Sequence, residues 1–190
     1  AFALLAPAAI ALGDEAQEAF DSLYGAELRR VQASASTADD AVLAGKLVEA
    51  AKAAAQSPRL QIILCENAYA LGHMNADGMD AAATAAQMLV EVDTAKRAER
   101  QEQLIAVQQR QYFRARGDER AALGESLLQT MIDMADARAA AGDYDGAIDM
   151  YRKAMSLAAM IKSDRRAAIS AKLERVAEAQ KLDRQVSLLR

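Results

Sequence analysis

From residue 14 onward, apolar residues recur at intervals of three and four, and each run of that pattern stops at a short polar or glycine-containing break. Residues 14–33 carry Phe20, Leu23, Tyr24 and Val31 at helical spacing and predict a first helix that ends before "ASAST". Thr37 stands where an N-cap belongs, with Asp39 and Asp40 in the first turn facing the positive end of the helix dipole. A second helix is therefore predicted through Gln56, with Leu43, Leu47 and Ala54 on one face. Ser57-Pro58 stops it and starts the next, since Ser suits a cap and Pro, lacking an N–H, suits the first helical position. The third helix runs to His73, and "GHMNADG" is a turn.

Five further helices follow, beginning with an alanine-rich one over 77–92 that carries Met88, Leu89 and Val90. A more polar one over 94–115 is anchored by Leu104, Ile105, Tyr112 and Phe113. The next, 118–141, has the stripe Leu127, Leu128, Met131 and Met134. The stretch "AAGDYDGAIDMYRKAMSLA", residues 140–158, is a turn and a helix with Ala147, Ile148, Tyr151, Ala154, Met155 and Ala158 on one face. Ser163 or Asp164 caps an eighth helix carrying Ile169, Leu173 and Val176. Links this short make consecutive helices antiparallel, so the chain reads as a row of helical hairpins.

Composition agrees with that pattern. Hydrophobic residues are 53% of the chain but much of that is alanine, prolines number two and aromatics are 4%, which favours an all-α protein. The 190 residues suit one domain, expected over 14–190, or a short array of repeats sharing a core.

Gly142, Asp143, Tyr144, Ala147, Tyr151 and Ala154 give "GDYDGAIDMYRKAMSLA" a resemblance to the second half of a tetratricopeptide repeat. Gly closes the preceding helix in the left-handed conformation, Asp caps the next, the small residues let paired helices approach, and Tyr151 fills the gap. "RGDERAALGESL" and "AYALGHMNADGMDAAATAAQML" echo the pattern without its aromatic, and "IKSDRRAAISAKLERV" resembles the start of a following unit. The resemblance implies hairpins stacked as a right-handed superhelix. The alternative is a plain helical bundle containing one such hairpin.

The resemblance also implies a function: a non-catalytic protein-interaction module or scaffold that holds a partner peptide or helix in a concave groove. Carried over to this chain, the groove residues are Gln129, Ile132, Asp133 and Asp136, with Gln109 and Arg110 adding polar lining from the preceding helix. These positions lack the basic cluster with which some members of the family clamp a peptide carboxylate, so a basic or mixed-charge ligand is expected. The alternatives are a structural, self-associating subunit and an enzyme of a helical class that uses the carboxylates at the helix starts.

No catalytic constellation accompanies the pattern. The chain has no Gly-rich phosphate loop, no Gly-x-Ser-x-Gly elbow and no nucleophile with an evident base. The acidic pairs Asp39-Asp40, Asp118-Glu119 and Asp143 with Asp145 sit at predicted helix starts, where the dipole explains them. The single histidine, His73, suits a helix C-terminus, and "NADGMD" lacks the alternating carboxylates of a calcium loop. The single cysteine, Cys65, reads as a small buried hydrophobe and excludes an internal disulfide. We expect no enzyme, no metal and no small-molecule cofactor.

Charge is uneven: residues 1–93 hold 5 Lys+Arg against 13 Asp+Glu, and 94–190 hold 18 against 14. The acidic half of one molecule can therefore attract the basic half of another, making a homo-oligomer a candidate. The basic half is too dilute in charge, and too poor in interleaved aromatics, to suggest nucleic acid. Finally, "AFALLAPAAIALG", residues 1–13, is apolar and uncharged, with small residues Ala11 and Gly13 before an abrupt polar switch. It reads as the remnant of a signal peptide, implying an exported, periplasmic or secreted protein; the alternative is an N-terminal helix or strap that packs on the body.

Overall fold

The computed structural model describes residues 15–188, and the expected signal remnant at 1–13 lies outside them. The described residues are all-helical, with no strand. Helix α1 covers residues 15–32 and contains a π-helical turn at Asp21–Gly25. There follow α2 (Thr37–Ala53), α3 (Pro58–Gly72), α4 (Met79–Val92), a 3-10 turn Thr94–Lys96, α5 (Arg97–Arg114), α6 (Gly117–Ala140), α7 (Tyr144–Met160) and α8 (Arg166–Ser187). No described helix is long and apolar enough to cross a membrane.

Contacts gather into two compact units, divided between Val107 and Gln108 inside α5. In the first, α1 packs on α2, α2 on α3 and α3 on α4, and α4 also touches α2. Its core is Phe20, Leu43, Leu47, Leu64, Cys65 and Leu89, with small Ala51, Ala68 and Ala85 where helices approach closely. Met79, Ala82 and Ala86 of α4 meet Leu104 and Val107 of α5 in a second cluster. In the second unit α7 packs on both α6 and α8. Leu127, Leu128, Met134, Ala147, Tyr151, Ala154 and Ile169 are all buried there.

Several turns form for the reasons the sequence suggests. Pro58 opens α3, Gly142 takes φ +81°, and the Asp143 side chain accepts a hydrogen bond from the Gly146 N–H at 3.0 Å, capping α7. His73 is the C-cap of α3, stacked on Tyr69 with ring centroids 4.8 Å apart. Others differ. Helix α2 has Ser36 rather than Thr37 at its N-cap, and Ser57 makes no side-chain cap bond. Helix α8 starts at Arg166, after Ser163 Oγ has accepted a bond from the Arg165 N–H at 3.4 Å.

Two expected anchors are exposed instead. The π turn between Phe20 and Val31 needs more residues per turn than an α-helix, so the position three after Phe20 swings off the buried stripe. Leu23 is consequently 68% exposed, while Phe20 and Val31 are buried. On α5, Tyr112 is buried and Phe113, one position on, is 67% exposed. Both rings cannot share one face at a spacing of one residue.

Candidate functional site

The hairpin of α6 and α7 and the returning helix α8 build the site. Gln129 Oε1 accepts from Arg165 Nη2 at 2.6 Å, and Lys172 Nζ donates to Asp136. Each pair is separated by 36 residues, so α8 runs alongside α6 displaced by one hairpin. Tyr151 of α7, buried beneath them, donates its hydroxyl hydrogen bond to Asp136. Burial comes first, and the Asp136 hydrogen bond second, in holding the Tyr151 phenol protonated well above its ordinary range.

Between α6 and α8 this arrangement leaves an open hollow of about 550 Å³, lined among others by Asp136, Ala139, Tyr144, Lys172, Arg175 and Val176. Its floor is aromatic and aliphatic, and its walls carry charges of both signs. Such a surface orients an extended or helical segment by charge and by apolar contact together. Among the described residues, no three of His, Cys, Asp and Glu are grouped so that they would hold a metal ion.

The six residues singled out in the sequence fall in different places. Asp136 lines the hollow, already engaged by Tyr151 and Lys172. Gln129 and Asp133 are exposed on α6 and joined by a hydrogen bond of 2.6 Å. Ile132 is buried and offers no surface to a partner. Arg110 is exposed on α5. Gln109 lines a separate hollow of about 320 Å³, where Leu127 and Met131 show the opposite side of α6. Lys172 and Arg175 were missed, because the groove residues were taken from one hairpin and the helix of the next was left out; Tyr144 was named in the motif but not as lining. The signal was present: Lys172 and Arg175 stand three apart in a helical run 36 residues beyond the Asp136 turn.

In the first unit the polar residue most enclosed is Arg100, 3% exposed. Its Nε and Nη2 donate to Asp93 Oδ2 at 2.9 and 2.8 Å, Nη2 also donates to Glu66, and Nη1 to Gln103 at 3.2 Å. A guanidinium shared in this way fastens the start of α5 to α3 and to the end of α4, a structural role. Beside it Cys65 is wholly buried, and burial, with Glu66 adding, pushes its thiol up to about 12. A thiol so placed stays protonated at neutral pH.

The fold defines an all-α chain of sequentially packed helical hairpins. No protein-family model, curated protein or solved structure matches it.

Proposed function

We propose that this chain is a non-catalytic protein-interaction module, exported to the cell envelope, whose second unit holds a partner peptide or helix between α6 and α8. The observation that carries the reading is the open hollow over Tyr144 and Tyr151, walled by Asp136 on one side and Lys172 and Arg175 on the other. The Asp136–Lys172 pair leaves Arg175 as the wall cation without a paired carboxylate on α6, and Asp133 as an exposed acid one turn from the rim. The ligand is therefore a mixed-charge segment with an apolar side chain directed to the tyrosines. Export rests on the apolar segment 1–13.

The test is a displayed peptide library selected on the immobilised chain, followed by calorimetry of the enriched peptides. Binding that is lost in Arg175→Glu, weakened in Asp133→Lys and kept in Phe113→Glu sustains the reading. A selection that yields no peptide, or only peptides indifferent to the first two changes, overturns it.

A further inference from the structure

The second unit carries an apolar hollow that the α6–α8 groove does not use. Tyr112 and Phe113 of α5 and Leu157 and Met160 of α7 line it, with Arg152 and Lys153 on its rim. Phe113 is 67% and Met160 59% exposed, and they belong to one hollow of about 320 Å³, so this is a contiguous apolar surface rather than scattered side chains. Phe113 meets Tyr112 edge-on, with centroids 5.5 Å apart, so its ring is held in place on the surface.

The first unit carries the complementary feature. The π turn of α1 pushes Leu23 into solvent, 68% exposed, on a helix that exposes Glu15, Glu18 and Asp21 ahead of it and Arg29 and Arg30 near its end. An exposed aliphatic side chain that follows three carboxylates suits an apolar hollow whose rim carries Arg152 and Lys153, the latter also paired with Asp149 at 2.7 Å. The whole units repeat that opposition: residues 1–107 hold 8 Lys+Arg against 15 Asp+Glu, and 108–190 hold 15 against 12.

We propose that the chain associates with itself head to tail, Leu23 of one copy seating in the Phe113–Met160 hollow of the next while the acidic residues of α1 face Arg152 and Lys153. Two different patches make this contact, so it is heterologous and leaves one knob and one hollow open at the ends of every pair. Association then continues beyond the dimer, into a ring or an open chain. Charges at the rim steer it, so it weakens as salt screens them.

The heterologous geometry has its own signature. Leu23→Glu removes the knob and keeps the hollow, whereas Phe113→Glu spoils the hollow and keeps the knob. Sedimentation velocity of the full chain, over a concentration series at low and high salt, should show the wild type growing past the dimer at low salt and less at high salt. Each variant alone should stay monomeric, and an equimolar mixture should form dimers and nothing larger. Both positions are exposed, so circular dichroism and melting should be unchanged, and Leu23→Gln and Phe113→Gln repeat the test without added charge. A wild type that remains monomeric throughout, a variant that associates as the wild type does, or a mixture that stays monomeric overturns the proposal. Growth that is blocked by either variant and not restored as dimers on mixing also overturns it, because a symmetric contact would then be at work.

Discussion

The two units use the same layout, a helical hairpin with a third helix returning beside its first, and hold that third helix by different means. In the first unit the α3–α4 turn lies close against the start of α2: the side-chain Nδ2 of Asn75 donates to the Thr37 carbonyl 38 residues earlier, and a Cβ on Gly78 would stand 3.5 Å from the backbone of Ala41. In the second unit α8 is held off α6 by long side chains, Arg165 reaching Gln129 and Lys172 reaching Asp136. Backbone contact leaves no room between helices, while paired arginine and lysine side chains hold a gap open and supply its charge. The same arrangement thus makes a closed layer in one unit and a lined hollow in the other.

The largest effect that separates them is expected at Gly72. A Cβ there would lie 2.4 Å from the Gly78 carbonyl oxygen, a backbone atom that cannot move aside without opening the α3–α4 turn. Gly72→Ala should cost about 3 kcal/mol, the upper range for overpacking. Hydrogen exchange should show the lost protection in α2, α3 and α4. Loss confined to a few amides at the turn would mean that backbone closeness is incidental to that unit. In the second unit Gly142, in the turn between α6 and α7, has no atom within 4 Å of the position a Cβ would take, but its φ is +81°. Gly142→Ala is therefore a matter of conformation rather than crowding and should cost about 1–2 kcal/mol by chemical denaturation. Gly142→Asn should recover much of that loss, since Asn tolerates the left-handed region, whereas no side chain recovers it at Gly72.

This contrast also sets how far the sequence could be read. Helix order was legible because a 3.6-residue apolar period, Pro58, Gly142 and the Asp143 cap are local signals, each interpretable within one turn. Leu23 and Phe113 were misplaced because their exposure depends on a π turn and on which of two adjacent aromatics the core accepts, neither of which is a property of spacing. For the candidate site, Asp136 was legible from the repeat resemblance, while Lys172 and Arg175 were not. Their place follows from a 36-residue offset between helices that share no motif. Close approach of Gly72 to Gly78 was equally hidden, since "LGHMNADGM" reads as an ordinary turn until α3 and α4 are packed together.

The smallest effect is expected where the second unit joins its floor to its wall. Tyr151→Phe keeps the ring that fills the space between α6 and α7 and removes only the hydroxyl that donates to Asp136. Asp136 is partly exposed and keeps Lys172, so it remains solvated and paired, and the cost at neutral pH should be about 1 kcal/mol, that of one hydrogen bond. The pH dependence makes so small an effect diagnostic. Burial and Asp136 raise the Tyr151 pKa in the folded chain, so above about pH 10, where an unfolded tyrosine has released its proton, the native state binds more protons than the unfolded one. Stability owed to that phenol is fully present below pH 10 and is lost as pH rises towards the folded value. The variant has no such group, so the stability difference between wild type and Tyr151→Phe should shrink, and then reverse sign, in denaturant titrations taken from pH 8 upward, with other titrations common to both chains cancelling. A difference that stays constant through pH 10 would mean that Tyr151 meets Asp136 without being enclosed, and that the floor of the hollow is open to water.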